Sequence, residues 1–265
     1  MLTGGSCYNS AKMIRNGQTH SGYLTDIITN DALNFIKQYK KQPFYLSVNY
    51  NAPHTPFDGH LSGIMASYDN CPFKTCPQEA AHPWAIASSR NHLGNRESLK
   101  GYLSAITALD LNVGHLIDLI EDLGLRQNTF FIFSSDNGYS CGHHGFWHKG
   151  NGTFPLNMYE NSLKVPFIMS RLGLIAEDKV TSAMVSQYDF MPTLLNYVVF
   201  DTKKDDLSLG QSFANILFNE TNEDKDKIVI FDEYDPVRMI RTQEWKYIHC
   251  CPDGPHELYD LANKI

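Results

Sequence analysis

At 265 residues, with 42% hydrophobic and 12% aromatic content, the chain can bury a sizeable core as one large domain or two modest ones. Its net charge of −7 comes without any Lys/Arg-rich run, which argues against nucleic acid as a partner but not against a small anion held by one or two positive groups. No apolar run reaches the ~18–20 residues of a membrane span, and residues 1–10 lack the basic start and apolar stretch of an export signal.

The first helix is predicted over 24–39, where Leu24, Ile27, Ile28, Phe35, Ile36 and Tyr39 recur on one face and Pro43 stops the pattern. A short apolar run at 44–48 reads as a buried strand. Between 98 and 123, Tyr102, Ile106, Leu109, Val113, Leu116, Ile117 and Ile120 mark a long helix, with Gly124 as its stop. Strands are expected at 129–133 and 165–169, and a helix at 188–197 interrupted early by Pro192. The charged stretch 201–206 reads as a loop. Short strands at 228–231, 238–241 and 246–249 then suggest a small antiparallel subdomain. Strands alternating with long helices predict an α/β fold, a mixed sheet flanked by helices.

Cysteines stand at 7, 71, 76, 141, 250 and 251. Cys71 and Cys76 flank a Pro-containing loop and have the spacing for a small disulfide, while the absence of paired C-x-x-C motifs argues against structural zinc. Asn151-Gly152-Thr153 and Asn219-Glu220-Thr221 match the glycosylation pattern and lean toward export.

Three clusters carry candidate chemistry. Asn51-Ala52-Pro53-His54-Thr55-Pro56-Phe57 follows a predicted strand, where ligands of open α/β sheets gather. His54 there can donate to an anionic oxygen or act as a general acid; it can equally satisfy a nearby carbonyl. In Ser135-Asp136-Asn137-Gly138, a carboxylate and an amide oxygen at adjacent positions suit a hard cation such as Ca²⁺ or Mg²⁺, although Asp-Asn-Gly is also a good turn. Gly142-His143-His144-Gly145-Phe146-Trp147-His148-Lys149-Gly150 reads more simply as an anion-binding loop with Lys149 as the fixed charge than as a transition-metal site, and a solvated loop with incidental histidines is the plain alternative.

In order along the chain, these stretches resemble the type I, formylglycine-dependent sulfatases of the alkaline phosphatase superfamily. The resemblance runs from Gly22-Tyr23-Leu24-Thr25-Asp26 through Pro43-Phe44-Tyr45-Leu46, the His54 loop, Tyr102-Leu103-Ser104-Ala105 and Leu109-Asp110-Leu111-Asn112-Val113-Gly114. It continues through the Asp136 and Lys149 clusters, Met158-Tyr159-Glu160-Asn161-Ser162-Leu163-Lys164-Val165-Pro166-Phe167, Asp189-Phe190-Met191-Pro192-Thr193-Leu194-Leu195 and Glu257-Leu258-Tyr259-Asp260-Leu261. It implies a sulfuric ester hydrolase acting on a sulfated small molecule or carbohydrate, in a periplasmic, secreted or lysosomal setting. Asp136 and Asn137 would be two of four side-chain ligands of a divalent cation, usually calcium with magnesium as the other candidate. His54 and Lys149 would contact sulfate and act in catalysis, and His144 would line the site. Residues 1–200 would be part of the catalytic domain and 201–265 part of a C-terminal subdomain.

No C/S-x-P/A-x-R segment, source of the formylglycine nucleophile in this family, occurs in the sequence; Ile86-Ala87-Ser88-Ser89-Arg90 is the nearest lookalike. The family's acidic pair and its second Lys and His are likewise missing. The chain by itself is therefore expected to be inactive. A phosphoester or phosphonate hydrolase of the same superfamily, and a non-catalytic binder of sulfated ligands, are the alternatives.

Overall fold

An Asn-Gly pair sets the first turn of the chain. In the computed structural model, which describes residues 2–4, 7–198, 210–218, 225–232, 237–251 and 254–263, strands β1 (Leu2–Gly4), β2 (Ala11–Arg15) and β3 (Gln18–Gly22) form an antiparallel sheet in that order. Asn16 and Gly17 join β2 to β3 with φ of 50° and 79°. This is the two-residue geometry whose twist matches the flanking strands and which Asn-Gly favours. Ala11 and Met13 alternate inward and share a core with Tyr8, Tyr23, Leu24, Ala105 and Ala108.

Helix α1 (Leu24–Tyr39) has the predicted bounds, but its buried stripe of Leu24, Thr25, Thr29, Ala32 and Ile36 includes two threonines. Thr29 Oγ1 bonds back to the Thr25 carbonyl at 2.9 Å and lies 2.8 Å from the Tyr50 hydroxyl, so neither hydroxyl is a cost to the core. The short helices α2 (Ser62–Ser67) and α3 (Ala87–Arg90) precede α4 (Arg96–Asp122). The Asn95 side chain caps α4 by accepting from the Glu97 and Ser98 amides. At the other end Gly124, with φ 67°, donates to Glu121 O and Leu125 donates to Ile120 O, the paired bonds of a Schellman stop.

By length and composition α4 is apolar enough to cross a membrane. Its burial is one-sided, however, and runs through Ser104, Ala105, Ala108, Asn112 and Leu116. Asn112 Nδ2 donates to Asp26 Oδ1 of α1 at 2.9 Å, so the two helices dock through a polar contact inside an apolar seam. These features are those of a core helix. The predicted strand at 44–48 keeps a strand's period, with Phe44, Leu46 and Val48 half-buried between exposed Tyr45 and Ser47, but it joins no ladder among the described residues.

The chain forms two compact units, one of Met1–Thr129 with Ser140–His148 and one of Phe130–Tyr139 with Lys149–Ile265. In the second, β4 (Phe131–Ser134), the short helix α5 (Glu160–Leu163) and β5 (Phe167–Ser170) follow in order, with β4 antiparallel to β5. Helix α6 (Phe190–Tyr197) is not interrupted by Pro192 as expected. The proline lies in its first turn, where the missing amide has no intrahelical partner to lose. Helix α7 (Ala214–Leu217) comes next. The predicted loop at 201–206 lies outside the described residues.

The three expected C-terminal strands, β6 (Ile228–Phe231), β7 (Val237–Arg241) and β8 (Trp245–Cys250), are joined by β9 (Glu257–Asp260) in an antiparallel sheet of order β6-β7-β8-β9. The α/β class and the small C-terminal antiparallel sheet are thus as read from the sequence, and the described strands pair in three separate antiparallel sheets.

Val237, Met239, Ile248 and Cys250 point inward onto Met158. The period of two puts Lys246 on the same face, where its side chain is 2% exposed. Glu160 Oε1 meets its ammonium at 2.8 Å, and Arg241 Nε lies 3.4 Å from Oε2. Burial pushes the Glu160 carboxyl up, but the Lys246 hydrogen bond and the charges of Lys246, Arg241 and Lys164 outweigh it and hold the group below its ordinary range. A depressed carboxylate contributes stability that is present above its unfolded pKa and is lost as pH falls through the lower folded value. Glu160→Gln should therefore cost about 2–3 kcal/mol at neutral pH, less than the ~3–5 of a fully buried pair because Glu160 keeps a third of its exposure, and should flatten the acid limb of stability. Denaturant unfolding between pH 3 and 7 checks this; an unchanged acid limb in the variant would count against the ion pair.

Candidate functional site

In the first unit, the loop at 51–57 is pinned around its histidine. Tyr8 Oη donates to the His54 carbonyl at 2.8 Å, and the His54 amide donates to Asn51 O at 2.9 Å. The ring itself is exposed. Its Nδ1 lies 3.0 Å from the Thr55 carbonyl, which can only accept, so the proton is assigned to Nδ1 and Nε2 is left for a ligand.

Phe57 anchors the end of the loop. Its ring lies edge-on to His92, Trp147 and Tyr102, with centroids 4.9, 5.3 and 6.0 Å away. Its carbonyl occupies the space that a Cβ on Gly101 of α4 would fill. Only glycine lets the helix come this close.

Trp147 belongs to the His144–Lys149 cluster and is fully buried. Its amide donates to Ser89 Oγ at 2.7 Å, the same hydroxyl donates to its carbonyl at 2.8 Å, and its indole N–H donates to Gln78 Oε1 at 3.1 Å. His144 is exposed in the turn His143–Gly145 and takes a left-handed conformation with φ 57°. Through the Phe57–Trp147 contact, the His54 loop and the His144 segment are built on one aromatic cluster.

Asp136, Asn137 and Lys149 are in the second unit. Asp136 and Asn137 form the bend that follows β4, and Gly138 N donates to Ser162 O at 3.0 Å. Gln187 Nε2 holds the bend from the other side, donating to the carbonyls of Ser135 (3.1 Å) and Asp136 (2.9 Å). Ser135 Oγ reaches the Asn137 carbonyl at 3.0 Å. With the backbone so occupied, the Asp136 carboxylate is exposed, and Ser135 Oγ at 3.4 Å is its hydrogen-bond partner among the described residues.

Lys149 is half-buried at the head of the turn Gly150–Gly152. Its carbonyl accepts from Gly152 N at 2.8 Å and from Asn157 Nδ2 at 3.3 Å, while Asn157 Oδ1 accepts from Ser162 Oγ at 2.7 Å. Gln187, Asn157, Ser89 and Gly101 were not singled out from sequence. Each works through a hydrogen bond or close approach across many residues, which leaves no local pattern.

An exposed carboxylate beside an amide oxygen fits a hard cation, as part of the ~6–8 oxygens that calcium takes. No group of three or more His, Cys, Asp or Glu side chains is placed to hold a metal among the described residues.

The family model described as Sulfatase matches residues 1–198, and that of the N-sulphoglucosamine sulphohydrolase C-terminal region matches 142–264. The N-acetylglucosamine-6-O-sulfatase of Bacteroides thetaiotaomicron is 26% identical over 91% of this chain and 56% of its own length. The arylsulfatase of Clostridium perfringens is 25% identical over 92% of this chain and 53% of its own. A protein solved in complex with its substrate D-glucosamine-2-N,6-O-disulfate shares the fold, with a TM-score of 0.82 at 22% identity over 98% of this chain and 67% of that one. The chain spans about half the length of the curated relatives it matches.

Two glycines of α4 provide a paired check on how the His54 loop is seated. Gly101→Ala must displace the Phe57 carbonyl and should cost about 1–3 kcal/mol. Gly114→Ala meets open space and should gain about 0.5–1 kcal/mol from helix propensity. Thermal or denaturant unfolding of the two variants should give opposite signs; the same sign in both would show that the loop yields to α4.

Proposed function

The chain belongs to the sulfatase family, and we propose that it carries the C-terminal share of a sulfate-ester hydrolase site, with Lys149 and His54 on the sulfate and Asp136 and Asn137 on a divalent cation. The observation behind this reading is the state of Lys149. Four lysines are buried or half-buried among the described residues. Lys100 pairs with Asp69 at 2.7 Å, Lys225 with Asp189 at 2.5 Å and Lys246 with Glu160 at 2.8 Å. Lys149 has no carboxylate partner among those residues. A half-buried lysine without a counter-ion is a place where an arriving anion gains a charge-assisted hydrogen bond.

In this reading Lys149 offsets charge that builds on the departing oxygen as the S–O bond breaks. As the imidazolium, with its Nδ1–H on the Thr55 carbonyl, His54 uses Nε2–H to donate to a sulfate oxygen or to pass a proton to the leaving oxygen. His144 takes a weaker, site-lining role. Asp136 and Asn137 hold the cation, calcium or magnesium by the hardness of these donors, which draws charge from the sulfate oxygens when bound. The attacking oxygen is supplied by a formylglycine from a segment other than these 265 residues. The substrate class is a sulfated carbohydrate, the setting extracytoplasmic, and the division a catalytic portion over 1–200 with a C-terminal subdomain over 201–265.

Assays with an aryl sulfate and a sulfated N-acetylglucosamine test the proposal. The 265-residue chain should give no turnover, whereas a chain extended by a C/S-x-P/A-x-R segment should hydrolyse the ester. In that longer chain Lys149→Ala should lower kcat/KM by about 10²–10³-fold, and Asp136→Ala should weaken cation affinity as well as activity. Turnover by the 265 residues alone, or, in the longer chain, a preference for phosphate or phosphonate esters or binding of the sulfated sugar without turnover, would each sink it.

A further inference from the structure

Within the first unit, the segment at 75–82 follows the loop at 141–145 closely. His143 Nε2 lies 3.2 Å from the Thr75 carbonyl, the Glu79 amide donates to Gly142 O at 3.3 Å, and the His82 amide donates to Gly145 O at 2.9 Å. A single nitrogen, Gln78 Nε2, donates to the carbonyls of both Cys76 (2.9 Å) and Cys141 (3.0 Å). The shared amide therefore holds the two cysteines side by side on adjoining segments. The Cys71–Cys76 bridge allowed by sequence spacing is not formed: both cysteines are free, and it is Cys76 and Cys141 that share the Gln78 amide. The Cys71 backbone is tied elsewhere, its amide donating to Tyr68 O at 3.1 Å and its carbonyl accepting from Arg96 at 3.0 Å.

We propose that Cys76 and Cys141 are a redox pair that closes a disulfide in an oxidising medium, tying the 75–82 segment to the loop that carries His144. Their surroundings divide the labour. Cys76 is half-buried, and its thiol is pushed down to about 6, first by the hydrogen bond from Cys141 and then, against the effect of burial, by Thr75 and His143. Cys141 is 4% exposed, and the hydrogen bond to Cys76 together with burial pushes its thiol up.

Cys76 thiolate attacks a small disulfide such as oxidised glutathione, forming a mixed disulfide and releasing one glutathione. Cys141 then gives up its proton and attacks the Cys76 sulfur, releasing the second glutathione. Two protein thiols are oxidised, one glutathione disulfide is reduced, and the two glutathione thiols carry away both protons. This inference does not depend on which ester the parent enzyme cleaves.

Trypsin cleavage after Lys74, Arg90, Arg126 and Lys149 separates Cys71, Cys76 and Cys141 onto three peptides, so their pairings are distinguishable. The native chain is incubated with oxidised glutathione, its remaining thiols are blocked with iodoacetamide, and it is digested. Peptides 75–90 and 127–149 should appear joined, two hydrogens lighter than the separate pair and released by reductant. The product should persist in Cys71→Ser and vanish in Cys76→Ser and Cys141→Ser. Linkage of peptide 75–90 to the Cys71 peptide, or alkylation of both Cys76 and Cys141 after oxidation, would overturn the proposal. A readout on the reduced wild-type chain needs no variant: alkylation of Cys76 should level off by about pH 7 while that of Cys71 still rises toward pH 8–9. Coincident profiles would also overturn it.

Discussion

The loops that bear the candidate residues are seated by one device, a backbone carbonyl lying where a side chain would begin. The Phe57 carbonyl fills that space at Gly101, the Asn161 carbonyl at Gly138 and the Ala80 carbonyl at Gly145. At each point two stretches of backbone approach more closely than any Cβ permits. The gain is rigidity without bulk. A loop held through its own main chain keeps its side chains available, and His54, His144 and Asp136 are all exposed while their backbones are bonded or wedged in place. Sites need this separation, because groups that must meet a ligand cannot also be the groups that fix the loop.

The chain path gives the arrangement its second feature. It leaves the second unit after Tyr139, contributes Ser140–His148 to the first, and returns at Lys149. That excursion is short, yet it is among the most firmly held stretches of the molecule. Phe146 and Trp147 are completely buried, and Ser89 bonds both backbone groups of Trp147. The candidate residues of the second unit flank the excursion on both sides: Asp136 and Asn137 lie just before it and Lys149 just after.

What could be read from sequence follows how local the cause is. Helices α1 and α4 were legible because their faces repeat every three to four residues and because Gly124 ends α4 by a local rule. The β2–β3 hairpin had an equally local signal in Asn16-Gly17 and was passed over, since its flanking residues are largely polar and β3 is exposed along most of its length. The run at 44–48 was legible in its alternation but not in its pairing, which depends on a neighbouring strand. Pro192 does not interrupt α6 because a proline's effect depends on its distance from the helix start, and α6 begins at Phe190. For the site, the residue types and their order along the chain carried the reading. The clamps at Gln187, Asn157 and Ser89, and the meeting of Cys76 with Cys141, are products of tertiary structure and have no one-dimensional signature.

Charge makes the same distinction between support and site. Asp189 is 1% exposed, with Lys225 on its carboxylate and the amides of Ser186 and Gln211 at 2.8 and 2.7 Å. Lys246 is equally covered and equally matched, by Glu160. Those groups are neutralised because a buried charge left alone is expensive. Asp136 and Lys149, in the same unit, are treated in the opposite way: neither is paired, and they do not pair with each other among the described residues. Opposite charges near one stretch of chain would ordinarily be drawn together at little cost. Here the backbone of each is tied separately, Asp136 by Gln187 and Lys149 by Asn157. Support and candidate site thus differ in one respect: the buried charges are matched within the fold, and Asp136 and Lys149 have no ion-pair partner among the described residues.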